Sequence, residues 1–264
     1  MTPHFSTPSW PNRIRTAFDG ATALPDQPLW LADRLTHPTS DERAGADGAR
    51  AERPERHHVY VPENYEANYP YPLIVWLTDP GHSVPDLMRL FPRISTQNFV
   101  ATALSGCGLL ESLFCTLTGL TNLPVEETAE RILDRVRQIR RCYHIHTERV
   151  YVAGCDLAAS LALELLLQKP DWFAGMLGFG RVEVPRGRSL RHFRRLRGKR
   201  VFIGADLRQP RKALATFLRT GRLLHSAGLD VSARLYDADA PVTSEMLSDV
   251  NHWLIQGICA SNPV

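Results

Sequence analysis

Residues 150–167, VYVAGCDLAASLALELLL, constrain the fold of this chain more than any other stretch. The run VYVA is rich in β-branched and aromatic residues, and the run after Leu157 is rich in Leu and Ala. Only Gly-Cys-Asp separates them, so the chain must pass from strand to helix in one sharp turn. A strand that leads straight into a helix is the building unit of an α/β protein.

The same alternation continues on both sides of this turn. HHVYVP reads as a first strand, ENYEANYPYP as a loop, and LIVWL (73–77) as a fully apolar strand. VPDLMRLFPRIS reads as a helical stretch interrupted by Pro92, and NFVATAL as the next strand. Ile132, Leu133, Val136 and Ile139 recur at the spacing of an amphipathic helix. Beyond the opening turn its helix should stop at Lys169-Pro170, where the ring cannot continue it. GMLGFG, KRVFIG and VSARLY then read as strands, with a helix through RKALATFLRTGRLLHSAG and a last helix from Ser244 to about Ile258. Apolar strands alternating with helices predict a doubly wound, mostly parallel sheet covered on both faces. Residues 1–56 are rich in Pro, Asp, Arg, Gly and Ala and read as a flexible arm, whose Leu29, Trp30 and Leu31 are expected to dock onto the domain. Residues 57–264 form the α/β domain.

Composition narrows the function classes. Hydrophobic residues make up 44% of the 264 and charged residues 22%, as in a globular protein with one sizeable core. A net charge of +3 is too small by itself to argue for a nucleic-acid or membrane partner. No run approaches the ~20 apolar residues of a membrane span. The first residues have no continuous apolar core, so no secretory signal is read and a cytoplasmic location is the expectation. The five cysteines (Cys107, Cys115, Cys142, Cys155 and Cys259) include no C-x-x-C pair, and most read as reduced, half-buried small hydrophobes. Nothing in the sequence calls for a cofactor.

In VYVPENYEANYPYPLIVWL, YHIHTERVYVAG, KPDWFAGMLGFG and RLLHSAGLDVSARLYDADAPVTSEMLSDVNHWL, the chain resembles the phospholipase/carboxylesterase-type α/β-hydrolases, including the compact esterases and depolymerase-like proteins. The likeness runs from about Val59 to Ile258. It implies the α/β-hydrolase fold, with a nucleophile on the strand-to-helix elbow. The elbow needs small residues two before and two after the nucleophile, which Gly154 and Ala158 supply. Asp156, however, stands where the resemblance places serine, and Cys155 lies one residue early with its side chain expected to point away.

Other expected features of the family are also altered. Alignment through Tyr236 and Glu245-Met246-Leu247 puts Ala240 at the position of the catalytic histidine. No histidine lies between Leu229 and Asn251, and His252 is expected too far along the last helix to reach the elbow. Asp206, after VFIG, stands where the triad acid is sought. After LIVWL, Thr78 and Asp79 replace the His-Gly of the oxyanion loop, Pro80 removes an N–H, and His82 follows. A carboxylate at Asp79 opposes a developing oxyanion. Leu157, next to the nucleophile position, completes this candidate cleft.

Asp156 admits three readings. It can be a nucleophile, as in the dehalogenase and epoxide-hydrolase branches of the fold, although the base that would activate water for the second step is the missing histidine. It can be a helix N-cap, accepting from first-turn N–H groups, worth ~1 kcal/mol. It can also join Asp79, His82 and Asp239 around a divalent cation, although no spacing motif supports this. The first reading makes the chain an ester-type hydrolase using Asp156 or recruited loop residues. The second leaves a degenerate hydrolase, a pseudoenzyme that takes a small-molecule ligand or a protein partner at the former active-site cleft.

His144 and His146 alternate in CYHIHTER and read as structural residues of the turn before the elbow strand. RGRSLRHFRRLRGKR (186–200) holds eight Arg and Lys residues, with Leu190, Phe193 and Leu196 at helical spacing. It reads as an amphipathic helix with a solvated basic face. Binding to nucleic acid or another anion through this run is the weaker alternative, to be recognised by its salt dependence.

Overall fold

A computed structural model describes residues 58–78, 84–105, 125–184, 192–237 and 242–260. The expectations for the 1–56 arm, Asp79, Pro80, His82, Asp239, Ala240, Cys107, Cys115 and the start of the basic run fall outside these residues.

Seven strands form one sheet in the order β1-β3-β2-β4-β5-β6-β7. They are β1 (Val59–Tyr60), β2 (Tyr71–Thr78), β3 (Val100–Ser105), β4 (Ile145–Cys155), β5 (Gly175–Phe179), β6 (Arg200–Asp206) and β7 (Asp230–Tyr236). Only β1 pairs antiparallel, with β3; all other neighbours are parallel. The helices are α1 (Val84–Ile94), α2 (Val125–Cys142), α3 (Asp156–Gln168), α4 (Phe193–Leu196), α5 (Arg211–Ser226) and α6 (Ser244–Ala260).

Strand side chains alternate between the two faces, and here both faces are covered. Leu73, Val75, Leu77, Val150, Val152, Val201 and Ile203 share a core with residues of α2, α3 and α5. Ile74, Trp76, Tyr151, Ala153, Phe179 and Phe202 share another with α1 and α6. This is why β2 is buried at all eight positions and reads as one continuous apolar run. On the second face Trp76 stacks on Phe179 with ring centres 5.9 Å apart and an interplanar angle of 10°.

The strand order also places the crevice. From β2 the chain moves outward to β3 and then returns across β2 to β4. In open α/β sheets such a reversal, at the strands' carboxyl ends, is where ligands bind. Leu77 pairs with Gly154 there, so the end of β2 lies beside the elbow.

Four local expectations need correction. The first strand is two residues long, because Pro62 has no N–H for the ladder. Pro92 does not interrupt α1, which runs through it to Ile94; so near the helix end one missing donor is tolerated. The segment around His146 is strand, not turn: β4 starts at Ile145, with an irregular register before Val150. In the described part of the basic run the helix is a single turn, Phe193–Leu196, with Leu196 fully buried.

Candidate functional site

The elbow is built from the strand outward. β4 ends at Cys155, whose side chain is buried in the aromatic core and so points away from the crevice. The next residue, Asp156, has φ +46°, the only positive φ of a non-glycine residue among those described. Left-handed backbone is disfavoured for L residues, with Asn and Asp the best tolerated, and such strain persists where the surroundings enforce it. The enforcing contact is visible at Gly154. A Cβ there would lie 2.5 Å from the carbonyl carbon of Ala158 and 2.8 Å from its Cβ. Strand and helix thus cross with backbone against backbone.

Asp156 is exposed and is the first residue of α3. Its Oδ1 accepts the backbone N–H of Arg181, 2.9 Å away, in the segment that leaves β5. The carboxylate occupies the space that a side chain on Gly180 would take. Gly180, itself at φ +74°, donates its N–H to the Gly204 carbonyl of β6 at 2.8 Å. A second tie runs parallel. Ser160 Oγ donates to the Asp156 carbonyl (3.3 Å) and accepts the Glu183 N–H (3.1 Å). Farther on, the Val182 carbonyl accepts the Thr220 hydroxyl of α5 at 3.1 Å. The first turn of α3 is therefore fastened to the segment after β5.

This geometry corrects the N-cap reading. The cap position of α3 belongs to Cys155, which makes no side-chain cap bond, and the carboxylate of Asp156 turns toward Arg181 instead of its own first turn. Among the described residues, Oδ2 of Asp156 makes no hydrogen bond. One oxygen thus serves the fold, and the residue that carries it is exposed. None of the described histidines, His58, His144, His146, His192, His225 and His252, hydrogen-bonds Asp156.

The other candidates stand along the same edge. Thr78 closes β2, buried, with its hydroxyl donating to the Leu104 carbonyl at 3.2 Å. Leu157 is half-buried in the first turn of α3. Asp206 closes β6, pairs in register with Tyr236, and accepts the Arg208 N–H at 2.8 Å. Arg208 in turn reaches Asp237 at 2.9 Å. So the topology brings Asp156, Leu157, Thr78 and Asp206 to one sheet edge.

Beside β7, Tyr236 and Arg234 both bind Oδ2 of Asp249 on α6, at 2.8 and 2.6 Å. Burial first, and then the hydrogen bond to Asp249, push the Tyr236 hydroxyl pKa up, so it stays a donor. His252 is exposed on α6. His144 and His146 sit near the start of β4. His144 Nδ1 lies 3.1 Å from the Ala67 carbonyl, and His146 Nδ1 accepts the Glu148 N–H. Burial and Arg149 lower the His146 pKa. Among the described residues no group of three or more His, Cys, Asp or Glu side chains forms a metal cluster, and no helix is long and apolar enough to cross a membrane.

Arg181, Gly180, Ser160 and Glu183 were not legible as site residues. Their one sequence signal is that Gly180 ends a predicted strand.

No family model matches the sequence, and no curated protein is similar to it in sequence. Solved structures are similar in fold. The carboxylesterase of Bacillus cereus matches with a TM-score of 0.56 at 16% identity, over 76% of this chain and 93% of that one. Esterase 2 of Thermogutta terrifontis matches with a TM-score of 0.57 at 13% identity, over 76% and 88%. A phospholipase/carboxylesterase from Dyadobacter fermentans matches with a TM-score of 0.52 at 14% identity, over 75% and 96%. With the parallel sheet, the order of its strands and the elbow after β4, this likeness gives the chain the α/β-hydrolase fold.

Proposed function

We propose that this protein is a hydrolase-fold relative that has left serine-type acyl transfer. In this reading it binds a small-molecule ligand or a protein partner in the crevice at the carboxyl ends of β2 and β4. The observation that carries the proposal is the bond from the Arg181 N–H to Asp156 Oδ1. A carboxylate cannot be activated as a serine hydroxyl is, and a backbone N–H donated to it stabilises the resting anion. Were Asp156 to attack, its ester would need a base-activated water, and the stretch from Leu229 to Asn251 holds no histidine. The open Oδ2 instead offers an acceptor to a cationic or hydrogen-bonding group of a ligand.

The test is an assay of the full-length protein and its Asp156→Ala variant against p-nitrophenyl acetate and p-nitrophenyl butyrate. Neither should turn over ester above the buffer rate. Turnover in the native protein that vanishes in the variant would make Asp156 a working nucleophile and overturn the proposal.

A further inference from the structure

The chain's modest net charge conceals a strong segregation. Residues 192–226 carry ten Arg and Lys against a single acid, Asp206, whereas the remaining residues carry 21 against 27. Six of these cations, Arg194, Arg197, Arg211, Lys212, Arg219 and Arg222, are exposed on residues 192–199 and α5. Residues 192–199 lie beside the end of α5: the Gly198 N–H donates to the Gly228 carbonyl at 2.9 Å, and Leu196 shares a core with Leu224 and Leu229. Arg194 and Arg197 are exposed there. On α5, Arg211, Lys212, Arg219 and Arg222 are exposed and fall within about 100° of arc at 3.6 residues per turn. Ala215, Leu218, Leu223 and Ser226 join Arg219 and Arg222 around a shallow groove on this face. Among the described residues no carboxylate pairs with any of the six cations.

Two of the six stand where folding disfavours them. Arg211 and Lys212 occupy the first turn of α5, at the positive end of the helix dipole, with no acidic residue in that turn. Cations at this helix start, with no acid in the turn to offset them, fit a ligand that supplies the negative charge. Residues 1–56 are no polyanion, their eight acids being balanced by seven arginines. Insertion into a membrane is disfavoured too, because Leu218 is the one exposed large hydrophobic residue on this face. Eight of the ten cations in 192–226 are arginine, whose planar fork matches phosphate oxygens in pairs.

We propose that the face formed by residues 192–199 and α5 binds the phosphate backbone of a nucleic acid without reading its sequence. The proposal does not depend on what the elbow does. Binding there releases counterions from the nucleic acid, so affinity should fall linearly on a log–log scale with salt, with slope about −0.9 per phosphate contacted.

The experiment is a fluorescence-anisotropy titration of the full-length protein into a labelled random-sequence DNA duplex of about 30 base pairs, across about 25–200 mM NaCl. Phosphatidylserine vesicles serve as the competing polyanion. Binding at low salt should be independent of duplex sequence. In Arg219→Gln/Arg222→Gln the slope should shrink by about 1.8, the share of two contacts. Arg211→Gln/Lys212→Gln should lose a similar share while its thermal midpoint holds or rises, which separates lost contacts from lost folding. No binding at the lowest salt, an unchanged slope in both variants, or binding to the vesicles but not to the duplex would each overturn the proposal.

Discussion

The Oδ1 of Asp156, at the start of α3, accepts the backbone N–H of Arg181, beyond β5, at 2.9 Å. This bond spans 25 residues and closes the elbow over Gly180. It holds an acidic side chain in left-handed backbone at the place where the fold presents a nucleophile.

Asp156 should matter for stability through both its φ and its bond. Asp156→Ala loses the hydrogen bond and keeps an unfavourable backbone, and should cost about 2 kcal/mol. Asp156→Gly loses the bond but relieves the backbone, and should cost about 1 kcal/mol or less. Urea unfolding midpoints give the order. Equal losses would mean that the φ of +46° carries no strain.

Gly180→Ala places a methyl group on the Asp156 carboxylate, at φ +74°. We expect a loss of about 2–3 kcal/mol in the native background. In an Asp156→Gly background the loss should fall to about 1 kcal/mol, the backbone cost alone. A double-mutant cycle measures the difference, and strict additivity would contradict the contact.

Two other glycines should respond in opposite directions. Gly154→Ala sets a Cβ 2.5 Å from the backbone of Ala158 and should cost more than about 3 kcal/mol or prevent folding. Gly221→Ala, inside α5, meets Ala233 and Ile203 at 3.7 Å and should gain about 0.5–1 kcal/mol. Thermal melts of the two variants decide the pair.

Glu164 on α3 is 9% exposed, with Oε1 accepting Gln168 Nε2 at 2.5 Å and Oε2 unpartnered. Burial raises its pKa, more than the bond to Gln168 lowers it. A carboxyl whose folded pKa lies above its unfolded value keeps its proton longer in the folded state. Its contribution to stability therefore declines as pH rises above the unfolded value, about 4.3, and levels off past the folded one. Urea midpoints measured from about pH 4 to pH 8 should show a falling component that Glu164→Gln removes. A component of the same size in the variant would assign it to other groups.

Much of the fold was readable along the chain because its signals are local. Fully apolar runs such as LIVWL mark strands buried on two faces, and the recurrence of Ile132, Val136 and Ile139 marks the buried side of α2. The strand-turn-helix at 150–167 identified the elbow and its small residues, Gly154 and Ala158. Where local reading failed, at Pro92 and in the basic run, a tertiary neighbour or a helix end changed the outcome of a residue's usual preference. Leu196, for example, is held by the core over a single helical turn.

What the sequence by itself determined is the alternation that makes a parallel, doubly covered sheet, the position of the elbow, and the presence of a carboxylate on it. Those depend on spacing between neighbours and on which side chains tolerate water. Only the tertiary structure decided what that carboxylate does. Whether Asp156 would cap its own helix or reach Arg181 depends on a backbone angle and on a partner 25 residues away, which the crossing of β4 and α3 sets. The same holds for the cations of α5 and residues 192–199. Their number is visible in the sequence, but it took the fold to leave six of them exposed.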